Sequence, residues 1–326
     1  MQRLERRGFA GQVLVASGED ILFLQTYGPR RPGHPERIAR DDVMPLASLS
    51  KPFTASLVLR LEAAGQLQLS DPIGQHLPGI PPDWSNIPIH AFLSHQAGLP
   101  AEIVNRAWAG EARFEPVDRQ TFVARLTHFS PDHLPGEGFN YSNVGYTLMA
   151  AMIETITGLD FETALDTHLL APNELRGIGF ARPDWTQDRL VHGREGNRDR
   201  GHYLDQPRLA DGLGFQLRGA GDLMAEPAAI AHWWQAVMRG QWLPEPQKSQ
   251  WLQPLIDEPD GSQYGLGLHF RQSRHGPVIG HTGGDFLFAV DFSWFSDRQI
   301  LVYIASADPR HEADRIRDGV HAVLFR

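Results

Sequence analysis

Apolar residues run along this chain in two rhythms. Near the N-terminus, "QVLVAS" and "ILFLQ" are short apolar, β-branched runs on either side of Gly18-Glu19-Asp20, a pattern that predicts a β-hairpin. The C-terminal part repeats this style. "YGLGLHF", "PVIGHTGG", "FLFAVDFSWF" and "QILVYIAS" are strand-like, with turn signals such as Ser296-Asp297 between them. Phe286, Phe288, Val290 and Phe292 alternate as one buried sheet face requires. The period then changes: in "EADRIRDGVHAVLFR", Ile316, Val320 and Val323 are spaced for one helix face. The middle of the chain predicts helices over 48–65, 88–95, 117–129, 142–157, 160–171 and 227–239, joined in places by Pro/Gly-rich connections such as "DPIGQHLPGIPPDW" and "DHLPGEGF".

Strands at both ends with helices between them predict an α+β fold, with one sheet built from both termini and a helical insertion. The expected division is an α/β domain from 1–70 and 205–326 and a mainly helical domain from 71–204, with a cleft between them. The length of 326 residues, against roughly 100–200 for one domain, fits two domains or one large one. Charge and composition then remove alternatives. The formal net charge is −9 and no block of Lys and Arg is long enough to track phosphates, which argues against a nucleic-acid partner. Cysteine is absent, which excludes disulfides, Cys-ligated zinc and thiol nucleophiles but leaves the compartment open. The N-terminal stretch lacks the apolar run of ~7–15 residues of a signal peptide, and no run reaches the ~18 apolar residues of a membrane span. A cytoplasmic protein and an exported one whose leader has been removed both fit.

The chemistry begins at "ASLSKPFTASLVLRLEAAG". Phe53, Leu57 and Leu61 step along a helix, Val58 and Leu59 make other faces apolar, and Gly65 is a plausible stop. Pro52 fits only in the first turn, which places the helix start close to Ser48. Ser48 alone reads as an N-cap. Lys51 argues against that reading, because a capping box wants Glu or Gln there and a cation is unfavourable at the positive end of a helix dipole. A chemical role explains it better. Positions i and i+3 share a face, so the amine can reach the hydroxyl, and burial with the dipole would lower its pKa toward that of a usable base. The helix N-terminus would also help bind an oxyanion formed at Ser48.

"GFNYSNVGYTLMAAMIETITG" places Tyr141, Ser142 and Asn143 at the entrance of a helix that ends at Gly158. Taken alone they are an aromatic residue and caps. Beside a serine and a lysine, the tyrosine can relay a proton and the asparagine offers a donor and an acceptor for a substrate amide. "GHTGGDF" completes the order, with His281-Thr282-Gly283 on a strand. Together, Ser48-Leu49-Ser50-Lys51, Tyr141-Ser142-Asn143 and His281-Thr282-Gly283 resemble the S-x-x-K, Y-x-N and K-T-G boxes of penicillin-recognising serine hydrolases. The similarity is to the branch with class C β-lactamases, D-alanyl-D-alanine carboxypeptidases, D-aminopeptidases and related esterases, and it extends over about residues 9–306.

The resemblance implies a β-lactamase/transpeptidase-like fold with a central antiparallel sheet flanked by helices and a helical domain, the site lying between the two parts. It also implies Ser48 as acylated nucleophile, Lys51 and Tyr141 as base and proton relay, and the backbone N–H groups of Ser48 and Gly284 as oxyanion hole. Asn143, His281 and Thr282 would hold substrate, with no metal or organic cofactor. Two departures matter. Histidine replaces the lysine of K-T-G, and with a pKa of roughly 6.5 it holds a substrate carboxylate less firmly than a permanent cation. Gly284 stands where a side chain is common, leaving room beside the oxyanion hole. Both point to a peptidase or esterase over an efficient β-lactamase. A true β-lactamase and a non-catalytic binding protein that kept the fold are the alternatives. The fifteen histidines fall in no H-E-x-x-H helix, no G-x-S-x-G elbow or P-loop occurs, and "GLGLHF" and "GAGDLM" leave G-x-G-x-x-G incomplete.

Overall fold

A computed structural model describes residues 5, 8–100, 117–126, 129–180, 185, 189–205, 214–309 and 313–325. The strands in chain order are β1 Gly11–Ser17, β2 Asp20–Tyr27, β3 Met44–Pro45, β4 Ile178–Phe180, β5 Gly193–Glu195, β6 Arg198–Gly201, β7 Leu223–Ala225, β8 Ile256–Asp257, β9 Gln263–Tyr264, β10 His269–Ser273, β11 Gly276–Gly284, β12 Ala289–Phe295 and β13 Ile300–Ser306. The helices used below are α1 Lys51–Ala63, α2 Asn143–Thr157, α3 Pro227–Met238 and α4 Ala313–Leu324.

Eight strands form one antiparallel sheet in the order β2-β1-β13-β12-β11-β10-β9-β8. The N-terminal hairpin joins it through β1, which pairs along its length with β13 from Gly11↔Ser306 to Ser17↔Ile300. The expected sheet from both termini is therefore present, and the fold is α+β. Both faces are covered. Val13 and Val15 pack with Val302, Ile304, Ile316 and Val320, under α4. Leu14 and Ala16 point the other way, as alternation demands, into the larger core with α1, α2 and α3. There Phe53 of α1 stacks on Trp233 of α3 at 4.3 Å, and Phe292 of β12 meets Trp233 and Trp234 at 5.2 and 5.0 Å.

α1 is buried on nearly every side, as its apolar sequence predicts, and Gly65 just beyond it takes a left-handed φ of 71°. α2 starts with Ser142 as N-cap, whose Oγ accepts from Gly145 N at 3.3 Å, and ends at left-handed Gly158. The alternation over 286–292 does not mark one strand. β12 begins only at Ala289, because Asp285 Oδ1 accepts from the N–H groups of Leu287 and Phe288 at 2.6 and 2.8 Å and folds 285–288 into a turn. The helix expected over 117–129 is seen over Arg119–Arg125, and residues 127–128 lie outside the described residues. Val323's side chain lies outside them as well. The hairpin β5–β6 and the small sheet β3-β7-β4 were not apparent from periodicity, since strands of two to four residues carry too few positions to show one.

Candidate active site

Ser48 does not sit in the first turn of an α-helix. It lies in a 3-10 turn, Ala47–Ser50, and α1 begins only at Lys51, with Pro52 in its first turn as expected. The tighter turn has a chemical result. With three residues per turn, positions i and i+3 eclipse, and Lys51 Nζ comes to 3.0 Å from Ser48 Oγ. Ala47, just before the serine, has a φ of +45°, a left-handed conformation that costs a non-glycine residue about 1–3 kcal/mol. Strain of that kind persists only where the surroundings over-determine it. Here Leu46 N donates to Leu223 O, and Ser50 Oγ accepts from Leu223 N, so β7 holds both sides of the serine. Neither Ser48 nor Ser50 caps α1.

Lys51 is 0% exposed. Its Nζ also lies 2.7 Å from Asn143 Oδ1 and 3.0 Å from Ala220 O. The Ala220 carbonyl reaches it because Gly219 adopts φ +71° and lies so close to Thr54 Oγ1 that a Cβ would stand 3.0 Å from it. Burial alone pushes the amine well below its ordinary value. Counting donors shows what that does. Asn143 Oδ1 and Ala220 O can only accept, so a neutral amine gives its two N–H bonds to them. Its lone pair is then left facing Ser48, whose O–H is the one group of the three able to donate. The arrangement can take a proton from Ser48.

Tyr141 lies beside this pair, its ring centroid 4.7 Å from Lys51 Nζ. The residue is 41% exposed, while its phenol is pushed up by burial and brought back in part by a hydrogen bond with Ser48. It therefore stays protonated at neutral pH. The turn that carries it is held by His95, a residue that no motif of the sequence marks. His95 Nδ1 accepts from Ser142 N at 3.1 Å, its carbonyl accepts from Asn140 N at 2.8 Å, and its ring lies 4.3 Å from that of Tyr141. Burial, with Lys51 and His269 adding to it, holds His95 well below the usual imidazole value.

The strand side is built differently. β10 pairs with β11 only as far as His269↔Gly280, so residues 281–284 have an edge that β10 does not cover. Gly283 lies against the serine turn: a Cβ there would be 2.3 Å from Leu46 O and 3.1 Å from Ser48 N. Gly284 is exposed, with Phe288 O the nearest atom to a would-be Cβ at 4.0 Å. His281 is 1% exposed, and both of its nitrogens have protein partners. Nδ1 donates to Thr282 O at 2.5 Å, which leaves Nε2 to accept from the Tyr264 hydroxyl at 3.1 Å. Burial, then His269 and Lys51, hold it well below the ordinary value, so the ring is neutral. A substrate contact would have to break one of those two bonds. Thr282, half-buried, points to the opposite face of β11, the face of its partner Asp291. The boxes thus converge on Ser48, Lys51, Tyr141, Asn143, Gly283 and Gly284, with His281 beneath them rather than among them.

A family profile described as Beta-lactamase matches residues 1–323. The chain belongs to that family. Penicillin-binding protein 4* of Bacillus subtilis (strain 168) is 26% identical over 338 residues, covering 98% of this chain and 73% of that protein. Esterase EstB of Burkholderia gladioli is 29% identical over 246 residues, covering 70% of this chain and 62% of EstB. The crystal structure of a penicillin binding protein from Bacillus halodurans matches with a TM-score of 0.84 at 20% identity, covering 99% of this chain and 98% of that one. At that identity the likeness shows the fold, which is β-lactamase/transpeptidase-like. Among the described residues, no helix of this family member is long and apolar enough to cross a membrane.

Proposed function

We propose that this chain is a serine hydrolase that works through an acyl-enzyme on an ester, amide or lactam carbonyl. The observation that carries this reading is the 3.0 Å approach of Ser48 Oγ to a fully buried amine whose lowered pKa makes it a base. Lys51 Nζ takes the Ser48 proton as the bond from Oγ to the carbonyl carbon forms. The carbonyl electron pair moves onto oxygen, facing the N–H groups of Ser48 and Gly284. The bond to the leaving group then breaks, and the Tyr141 hydroxyl relays a proton to that group. Water repeats the sequence in reverse and releases the acid. Asn143 is left to hold substrate through its amide nitrogen, whereas Thr282, on the opposite face of β11, is not placed to do so. The division into an α/β part and a helical part with the cleft between them belongs to the same proposal.

The substrate class follows from His281. A neutral, internally bonded imidazole offers no cation to a carboxylate, which favours uncharged esters and amides over penicillins. The relationship to an esterase and to a penicillin-binding protein supports that range. The deciding experiment is intact-mass detection of an adduct with a reactive acyl probe. Wild type gains the mass of one acyl group and Ser48→Ala gains none. Equal labelling of both would overturn the assignment. Rapid turnover of a nitrocefin-type lactam would overturn the substrate preference while leaving the acyl-enzyme in place.

A further inference from the structure

A second cluster of chemistry-bearing side chains lies away from Ser48, at the open end of the hairpin β5–β6. Gly193 pairs with Gly201, so His192 and His202, which flank the paired residues, come together with ring centroids 5.0 Å apart at 78°. Asp205 follows at the end of a short turn, Tyr203–Asp205. His192 Nδ1 donates to Asp199 Oδ1 at 2.9 Å, which fixes its tautomer and turns the Nε2 lone pair outward, 4.0 Å from Asp205 Oδ2. His202 Nε2 lies 3.5 Å from Asp205 Oδ1. One ligand atom from each of the three residues lies within 4.8 Å of the others. A tetrahedral ion with donors at about 2.0–2.1 Å sets those donors about 3.3 Å apart, so the cluster needs only a small contraction to close on one.

We propose that His192, His202 and Asp205 form a binding site for a first-row divalent transition metal ion, with Zn2+ the ion to test, and with solvent completing the coordination. Two imidazoles and one carboxylate are a donor set that suits such ions. Two further observations favour a ligand over a hydrogen-bonded cluster. Asp199 is anchored by Gly201 N and Arg31 Nε, both at 2.8 Å, as a group that orients a metal-bound histidine requires. Gly201, at φ +72°, leaves the space that Asp205 occupies, since a Cβ there would be 2.8 Å from its Oδ2. The Asp205 side chain is 44% exposed, which gives an ion a way in.

The ion would staple the two ends of the hairpin. Gly193 packs directly on Leu287, in the turn that follows Gly284, so the staple would brace one wall beside the acylation site without taking part in acylation. The test uses the full chain, stripped with a chelator and titrated with Zn2+ in competition with a colorimetric chelator. Wild type should take up one ion per chain and melt at a higher temperature when loaded. Asp205→Asn and His202→Ala should lose that uptake. Asp199→Asn, which removes no ligand but weakens the hydrogen bond that orients His192, should weaken it about 10–100-fold, whereas the exposed His232→Ala should change nothing. No uptake by wild type, unchanged uptake by Asp205→Asn, or equal losses in His232→Ala would overturn the site. Acyl labelling of Ser48 should be the same with and without Zn2+, so this proposal and the hydrolase reading can fail separately.

Discussion

The two walls that meet at Ser48 are built on opposite plans. On the helix wall the side chains face the reacting centre: Ser48, Lys51, Tyr141 and Asn143 bond to one another, and the lysine is buried with carbonyl acceptors and no carboxylate partner among the described residues. On the strand wall the side chains turn away or are missing. His281 is spent on Thr282 O and Tyr264, Thr282 faces the other side, and glycines occupy 283 and 284. One wall presents side chains fit for proton transfer and the other a backbone edge. Side chains on the first should therefore govern rate, while on the second only atoms that move the backbone should matter.

The largest test of that contrast is Lys51→Met, which keeps length and removes the proposed base. Acylation of Ser48 should fall about 10²–10⁴-fold. The sign with pH is fixed by the lone pair. Below its pKa the amine is an ammonium and cannot take a proton, so the wild-type rate should rise with pH through a value well below the ordinary lysine range. That limb should be missing from the Lys51→Met profile. Gly283→Ala should come next, although it touches no reacting group. Its Cβ would stand 2.3 Å from Leu46 O and 2.7 Å from Val290 Cγ2, so β11 must move off the serine turn. We expect a loss of about 1–3 kcal/mol in urea unfolding and at least a tenfold slower acylation, since one oxyanion donor is worth about 10²–10³.

His281→Asn should act mainly on stability, by about 1–3 kcal/mol, because it leaves the Tyr264 hydroxyl or the Thr282 carbonyl without its partner. The pH profile with a carboxylate-bearing substrate should keep its shape between about 6.5 and 7.5 in this variant, as burial holds the wild-type ring well below the ordinary imidazole value. A change of shape in that window would return His281 to the substrate. The smallest effect should come from Gly284→Ala, where the nearest atom is 4.0 Å away: acylation by a small ester should stay within about twofold.

Much of the helix wall could be read from sequence because its geometry is local. A spacing of three residues brings Ser48 and Lys51 together in either a 3-10 or an α turn, and the helix entrance at Tyr141-Ser142-Asn143 is written in its cap. Strands β1, β2, β11 and β13 are legible for the same reason, through alternation and turns, whereas β8 and β9 are two residues each and "YGLGLHF" turns between Tyr264 and His269. What stayed hidden depends on contacts between distant segments. Ala220 contributes a carbonyl, which leaves no mark on residue identity. His95 looks like any isolated histidine until the chain brings Ser142 and Tyr141 to it. The ten-residue gap between His192 and His202 fits no helical spacing and becomes close only across a hairpin. His281 lies on the expected strand, but sequence gives the strand's alternation and not which neighbours satisfy each ring nitrogen.

The pairing of β1 with β13 also sets the order in which the molecule can be made. The hairpin of β1 and β2 can form early in synthesis, but its other edge has nothing to pair with until Ile300–Ser306 is delivered. During that interval the growing chain carries an unfinished central sheet, with an apolar strand edge on display. Contacts of such long sequence separation are slow to close. Chaperone dependence and refolding yield should therefore respond most to substitutions at the β1–β13 seam, which is built apart from Ser48 and Lys51.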